Sequence, residues 1–207
     1  MVRSAASLNA SLDGLAAAEP RFAAAMERHG RPDPRISEPG VTTLLRTIVG
    51  QQVSVAAARS MWAKLEGRYG SPPDLERLLV ANDDELREAG LSRQTAGYAR
   101  SLAGLVLSGE LDLGKLPADD DEAVALLIKV KGIGRWSAEI YLLFAEGRGD
   151  VWPAGDLAVQ VQIGRILGLA DRPSEKQLRD LAEAWRPHRG AAAVFAWHSY
   201  NSEGTAL

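Results

Sequence analysis

Between two apolar stretches the chain reads VKGIGRW, Val130 to Trp136, with Gly132 and Gly134 two residues apart and Lys131 and Arg135 beside them. Glycine admits backbone angles that a side chain forbids and lets other atoms come close. A helix that begins after such a turn presents unpaired amide N–H groups, which attract anions, a phosphodiester among them. The same turn serves equally as a plain corner between packed helices, and these seven residues alone leave both readings open. Asp156 follows Gly134 by 22 residues, at the end of VWPAGD. An aspartate there can cap the next helix, and capping keeps its carboxylate ionised. Five tryptophans, Trp62, Trp136, Trp152, Trp185 and Trp197, can fill a core, or stack on a cationic ring for about 2 kcal/mol when desolvated.

These groups need elements to hold them. The apolar spacing predicts helices over 8–18 and 21–29, a proline-rich loop over 31–40, and an amphipathic helix from Val41 until Gly50 interrupts it. Ser54 is placed to cap a helix running to Tyr69, Asn82 with Glu85 forms a capping box for a short helix ending at Gly90, and Ser92 opens another through Leu107. Asp119 to Glu122 puts negative charge at the start of a helix whose apolar face is Val124, Leu127 and Ile128. After the glycines, Ile133, Trp136, Ile140 and Phe144 mark the next helix, and Asp156 opens one buried through Val159, Ile163, Ile166 and Leu167. Helices over 174–184 and 190–200 complete the pattern. No stretch alternates as a strand does, so the expectation is all-α, with roughly ten helices.

Composition bounds the chemistry. The 207 residues suit one well-buried domain or two subdomains sharing a core. Without cysteine there is no disulfide, thiolate zinc site or cysteine-ligated iron–sulfur cluster, and His29, His188 and His198 lack ligand-like spacing with carboxylates. No run approaches a membrane span, and Asn9 and Asp13 interrupt the early apolar residues, so the expectation is a soluble protein inside the cell. The formal net charge of -3 hides an uneven distribution: residues 71–90 carry six acids against two bases, whereas residues 127–136 carry three bases and no acid.

Longer stretches sharpen the two open readings. LLIKVKGIGRWSAEIYLLF, followed by VWPAGDLAVQ, resembles the helix-hairpin-helix and Gly/Pro-rich aspartate loop of base-excision DNA glycosylases. LLRTIVGQQVSVAAARS, LSRQTAGYARSLA and WRPHRGAAAVFAWHSY resemble its 3-methyladenine DNA glycosylase II branch, and the likeness covers Val41 to Ser202. It implies a compact all-α helix-hairpin-helix glycosylase fold, with two helical subdomains flanking a cleft. The 207 residues would form one glycosylase domain, its hairpin at about 120–146 and its catalytic loop and helix at 150–168.

By that resemblance, Asp156 is the catalytic residue, and Trp136, Tyr141 and Trp152 are the candidates for the base pocket. DNA contacts fall to Gln52, as the wedge entering the duplex, and to Ser54, Lys131, Gly132, Gly134, Arg135 and Ser137. Backbone carbonyls of Ile128, Val130 and Ile133 would hold a monovalent cation, Na+ or K+, with no other cofactor required. Bifunctional relatives carry a lysine where this chain has Trp136, which implies base release without strand cleavage. The partner implied is duplex DNA containing alkylated bases, bound by a monomer that is cytoplasmic, nucleoid-associated if bacterial, with no membrane role. Three alternatives stay open: the same fold acting on deaminated or mismatched bases, a non-catalytic DNA-binding module, and a helical scaffold.

Overall fold

The computed structural model describes residues 4–204. Within them lie α1 (Ala5–Ala18), α2 (Pro20–His29), α3 (Val41–Val49), α4 (Val55–Tyr69), α5 (Leu75–Val80), α6 (Asp83–Glu88), α7 (Arg93–Leu107), α8 (Asp120–Leu127), α9 (Arg135–Phe144), α10 (Leu157–Ile166), α11 (Glu175–Ala182) and α12 (Arg189–Ser202), with a 3-10 turn over Glu183–Trp185. No strand occurs among the described residues, as the patterning predicts.

Local chemistry sets most helix starts. Ser54, Ser92, Asp119 and Asp156 each accept a backbone N–H three residues on, and Ser4, Asn82 and Ser174 form reciprocal capping boxes. The cap at Ser4 starts the first helix at Ala5, three residues before Leu8. Patterning gives no sign of α5. Its six residues bury only Leu78, and Asp74 Oδ1 caps it by accepting the Arg77 amide at 3.0 Å, so the tertiary contact and the cap make it helical. Ile128 corrects another expectation. It caps the C-terminus of α8 with 46% of its surface exposed, while Val124 and Leu127 face the core.

The chain divides into two compact units. One runs from Glu38 to Tyr141; the other takes residues up to Ser37 and from Leu142 onward. In the continuous unit α7 is the central element, contacting α3, α5 and α6, with Leu45, Ile48, Leu78, Leu86 and Leu102 buried. Its acidic segment turns its charge on arginines of the same unit: Arg100 on Asp83, and Arg68 on Glu85 and Glu88.

In the discontinuous unit α12 is buried almost throughout, with Ala191, Ala192, Ala193 and Ala196 allowing close approach of α1, α2 and α10. Such all-round apolarity marks a helix at the centre of a core. Phe195 of this helix, Phe22, Trp185 and Trp152 form an edge-to-face cluster, with centroids 5.2 to 6.1 Å apart.

Candidate functional site

Asp156 has a helical cap geometry, with φ -73° and ψ 126°, and its Oδ1 accepts the Val159 amide at 2.9 Å. A second donor reaches the same oxygen: the Trp197 indole Nε1 at 3.1 Å, from the third turn of α12. Sequence reasoning counts Trp197 among five tryptophans without giving it a role, because the contact spans 41 residues. The available signal is its place in AAAVFAWHSY, two turns beyond Arg189. Trp197 also stacks at a tilt on Phe144, with centroids 5.7 Å apart, and the Arg35 guanidinium lies over the Phe144 ring at 5.0 Å.

The loop that delivers Asp156 has little slack. Val151, Trp152, Pro153 and Ala154 are buried. The Asp156 amide bonds to the Pro153 carbonyl at 3.0 Å, and Gln160 Nε2 donates to the Ala154 carbonyl at 2.9 Å. Trp152 is therefore no base-pocket wall. Only 3% exposed, it packs against Trp185 and donates its indole N–H to the Leu178 carbonyl. Tyr141 is likewise buried, and its hydroxyl accepts the Gly40 amide at 2.7 Å at the entry to α3. Trp136, the remaining candidate, is 47% exposed on the first turn of α9, and Ser137 follows it partly exposed.

In the other unit, α8, the turn 128–134 and the start of α9 form the expected hairpin. Gly132 has φ +84°, and a Cβ built there would overlap the Tyr98 ring. The two demands, a left-handed backbone and a ring against the α-carbon, explain that glycine. Gly134 meets a different need. Nothing lies within 4 Å of the place its Cβ would take, so the start of α9 is open to approach. Lys131 extends beside it, exposed and with no carboxylate partner among the described residues.

Arg135 is half-exposed and already engaged within the hairpin. Its guanidinium bonds Asp121 on α8 at 2.5 Å and the buried Glu139 on α9 at 3.0 Å, stapling the two hairpin helices. Burial pulls its pKa down, but the Asp121 hydrogen bond and the Glu139 charge outweigh that and raise it above its ordinary value. The cation stays on throughout.

Gln52 stands exposed with φ +57°, a rare conformation outside glycine. Its neighbour Gln51 donates Nε2 to the Gly132 carbonyl at 2.8 Å, tying this turn to the hairpin. The two segments border one cavity of about 410 Å³, with Ser92, Gln94 and Tyr98 on its walls. Ser54 commits its hydroxyl to the cap of α4, accepting the Ala57 amide at 3.2 Å. Of the carbonyls expected to face a cation, that of Val130 also accepts the Ile133 amide at 3.0 Å.

The model of the HhH-GPD superfamily of base excision DNA repair proteins matches residues 45–187, which hold both the hairpin and the Asp156 loop. The chain belongs to that superfamily. DNA-3-methyladenine glycosylase 2 of Escherichia coli is 29% identical to it over 189 residues, 84% of this chain and 64% of that protein. The DNA-3-methyladenine glycosylase of Saccharomyces cerevisiae is 32% identical over 171 residues, 77% of this chain. The chain spans 57% of the length of that yeast protein and of the Bacillus subtilis relative YfjP. Among solved structures, a DNA-3-methyladenine glycosidase from Bacillus halodurans superposes with a TM-score of 0.85 at 28% identity, covering 94% of this chain and 90% of that one. The 3-methyladenine DNA glycosylase of Schizosaccharomyces pombe, solved with abasic DNA, shares the fold at 23% identity with a TM-score of 0.75, covering 95% and 97%.

The two hairpin glycines should respond differently to alanine. Gly132→Ala combines a left-handed backbone with overlap on Tyr98, and its expected cost is about 2–5 kcal/mol. Gly134→Ala should cost under about 1 kcal/mol in the open space around it. Urea denaturation of the two variants measures the difference.

Proposed function

We propose that the chain is a monofunctional DNA N-glycosylase. It hydrolyses the N-glycosidic bond of alkylated purines of the 3-methyladenine and 7-methylguanine type in duplex DNA and leaves an abasic site for base excision repair. One observation carries the reading: a carboxylate fixed at the head of α10 by two donors on one oxygen, Val159 and Trp197, in a chain of this superfamily.

The chemistry follows from that carboxylate. A purine alkylated on a ring nitrogen is cationic, so it departs with the bonding pair of the glycosidic bond and leaves neutral. The sugar then carries oxocarbenium-like charge, and Asp156 beside it lowers the energy of that state. Water adds at the anomeric carbon and loses a proton. No second carboxylic acid is required to protonate the leaving group, unlike in ordinary glycoside hydrolysis. With Trp136 where a lyase would need an amine nucleophile, no Schiff base forms and the strand stays intact.

Reaching the bond requires rotating the nucleotide out of the stack, at a cost of a few kcal/mol. Gln52, already turned out by its backbone, is the residue we assign to fill the gap. The N-terminus of α9 receives a phosphate, with Lys131 adding charge and Gly134 clearing the approach. Trp136 offers an exposed indole face for a cationic base. A Na+ or K+ ion on the carbonyls of Ile128, Val130 and Ile133 would add positive charge to the same turn. No described helix is long and apolar enough to cross a membrane, and a DNA substrate places the protein at the nucleoid or in the cytoplasm.

Asp156→Asn should fold and bind duplex DNA yet release methylated bases at least about 100-fold more slowly, since the charge facing the transition state is gone. Free base assayed from methylated DNA tests this; release at the parental rate refutes the catalytic role. The grip is tested by salt. Removing one phosphate-binding cation should flatten the log–log dependence of affinity on salt by about 0.9. Lys131→Gln should do so, whereas Arg135→Gln should weaken binding with its slope unchanged, because Arg135 shapes the hairpin from within.

A further inference from the structure

Arg189 is a buried cation, 9% exposed, that base release as derived from Asp156 does not use. Its guanidinium forks onto Asp150, Nε to Oδ1 at 3.0 Å and Nη2 to Oδ2 at 2.9 Å, while Nη1 reaches Glu183 Oε1 at 3.0 Å. The Arg189 backbone N–H adds a bond to Asp150 Oδ1 at 3.3 Å, and Arg186 Nη1 donates to Oδ2 at 2.7 Å. Next to it, the Gly190 amide bonds the Gly149 carbonyl at 2.9 Å, and a Cβ on Gly190 would stand only 2.6 Å from that oxygen. The first turn of α12 thus sits flush against the entry of the loop that ends in Asp156.

Trp197 lies eight residues further along the same helix, about 12 Å at 1.5 Å per residue. The internally bonded segment from Val151 to Asp156, buried as far as Ala154, connects the two contacts from the loop side. One helix therefore holds the loop at both ends: by the guanidinium fork at Asp150 and by the indole at Asp156. We propose that Arg189 is a positioning residue for the reaction, fixing the register of loop against helix so that the Asp156 carboxylate meets the Trp197 indole. This rests on the glycosylase reading for its effect on rate, though not for its effect on geometry.

Arg189→Lys keeps the charge and removes the fork. Two readings on the full chain test it. One is single-turnover release from a duplex carrying one 7-methylguanine, together with the Kd for a duplex carrying an abasic site. The other is the indole N–H resonance of Trp197, assigned by its disappearance in Trp197→Phe, with that of Trp62 as the internal control. A catalytic group displaced by a fraction of an ångström predicts release slowed at least about tenfold, Kd within about twofold, and a shifted Trp197 resonance beside an unmoved Trp62. An unmoved Trp197 resonance overturns the proposal whatever the rate does, and so does parental release with a moved one. If Arg189→Lys fails to fold, Asp150→Asn, which keeps the shape of the acceptor, is judged by the same two readings. A parent protein that released no base would overturn the glycosylase function itself, leaving the resonance to decide the clamp.

Discussion

One oxygen organises the candidate catalytic half of the molecule. Asp156 Oδ1 accepts both a backbone amide from its own helix and an indole N–H from a helix that begins more than thirty residues later. The first bond is local and would form in any helix headed by aspartate. The second is tertiary and ties the carboxylate's direction to the most deeply packed element of its unit. A cap that only satisfied α10 would leave the carboxylate free to choose among rotamers. Held from two sides, it keeps one.

The hairpin unit solves a different problem with equally few parts. Gly132 is fixed by the Tyr98 ring and by the carboxamide of Gln51 on its carbonyl, so the turn is tied to the exposed Gln52 segment. Arg135, half-exposed, is ion-paired with Asp121 and with the buried Glu139. The positive surface is left to Lys129 and Lys131 and to backbone amides, groups whose contribution does not depend on a side-chain ion pair breaking first.

What the sequence made legible was local. Caps at Ser54, Asn82, Ser92, Asp119 and Asp156 are short-range chemistry, and each is readable from residue type and spacing. The glycine turn and Trp136 are readable for the same reason. The misses share a cause. The six-residue α5 is too short for periodicity and exists because Leu78 is buried by α7. Trp152 and Tyr141 stand near motif residues along the chain, yet their hydrogen bonds, to Leu178 and Gly40, commit them to interiors. Trp197 and Arg189 act across 41 and 39 residues, and neither residue type nor spacing reveals which of several tryptophans or arginines closes such a gap.

The division of the chain also has a temporal meaning. The unit that carries the hairpin and Gln52 is one uninterrupted segment, whereas the unit that carries Asp156 is assembled from both sides of it. During synthesis the inserted segment has all its contacts available as soon as Tyr141 has emerged. Asp156 must wait for α12, and so must α1 and α2, which pack on each other but also on that helix. On a ribosome the hairpin unit can therefore mature before the Asp156 carboxylate has its second donor.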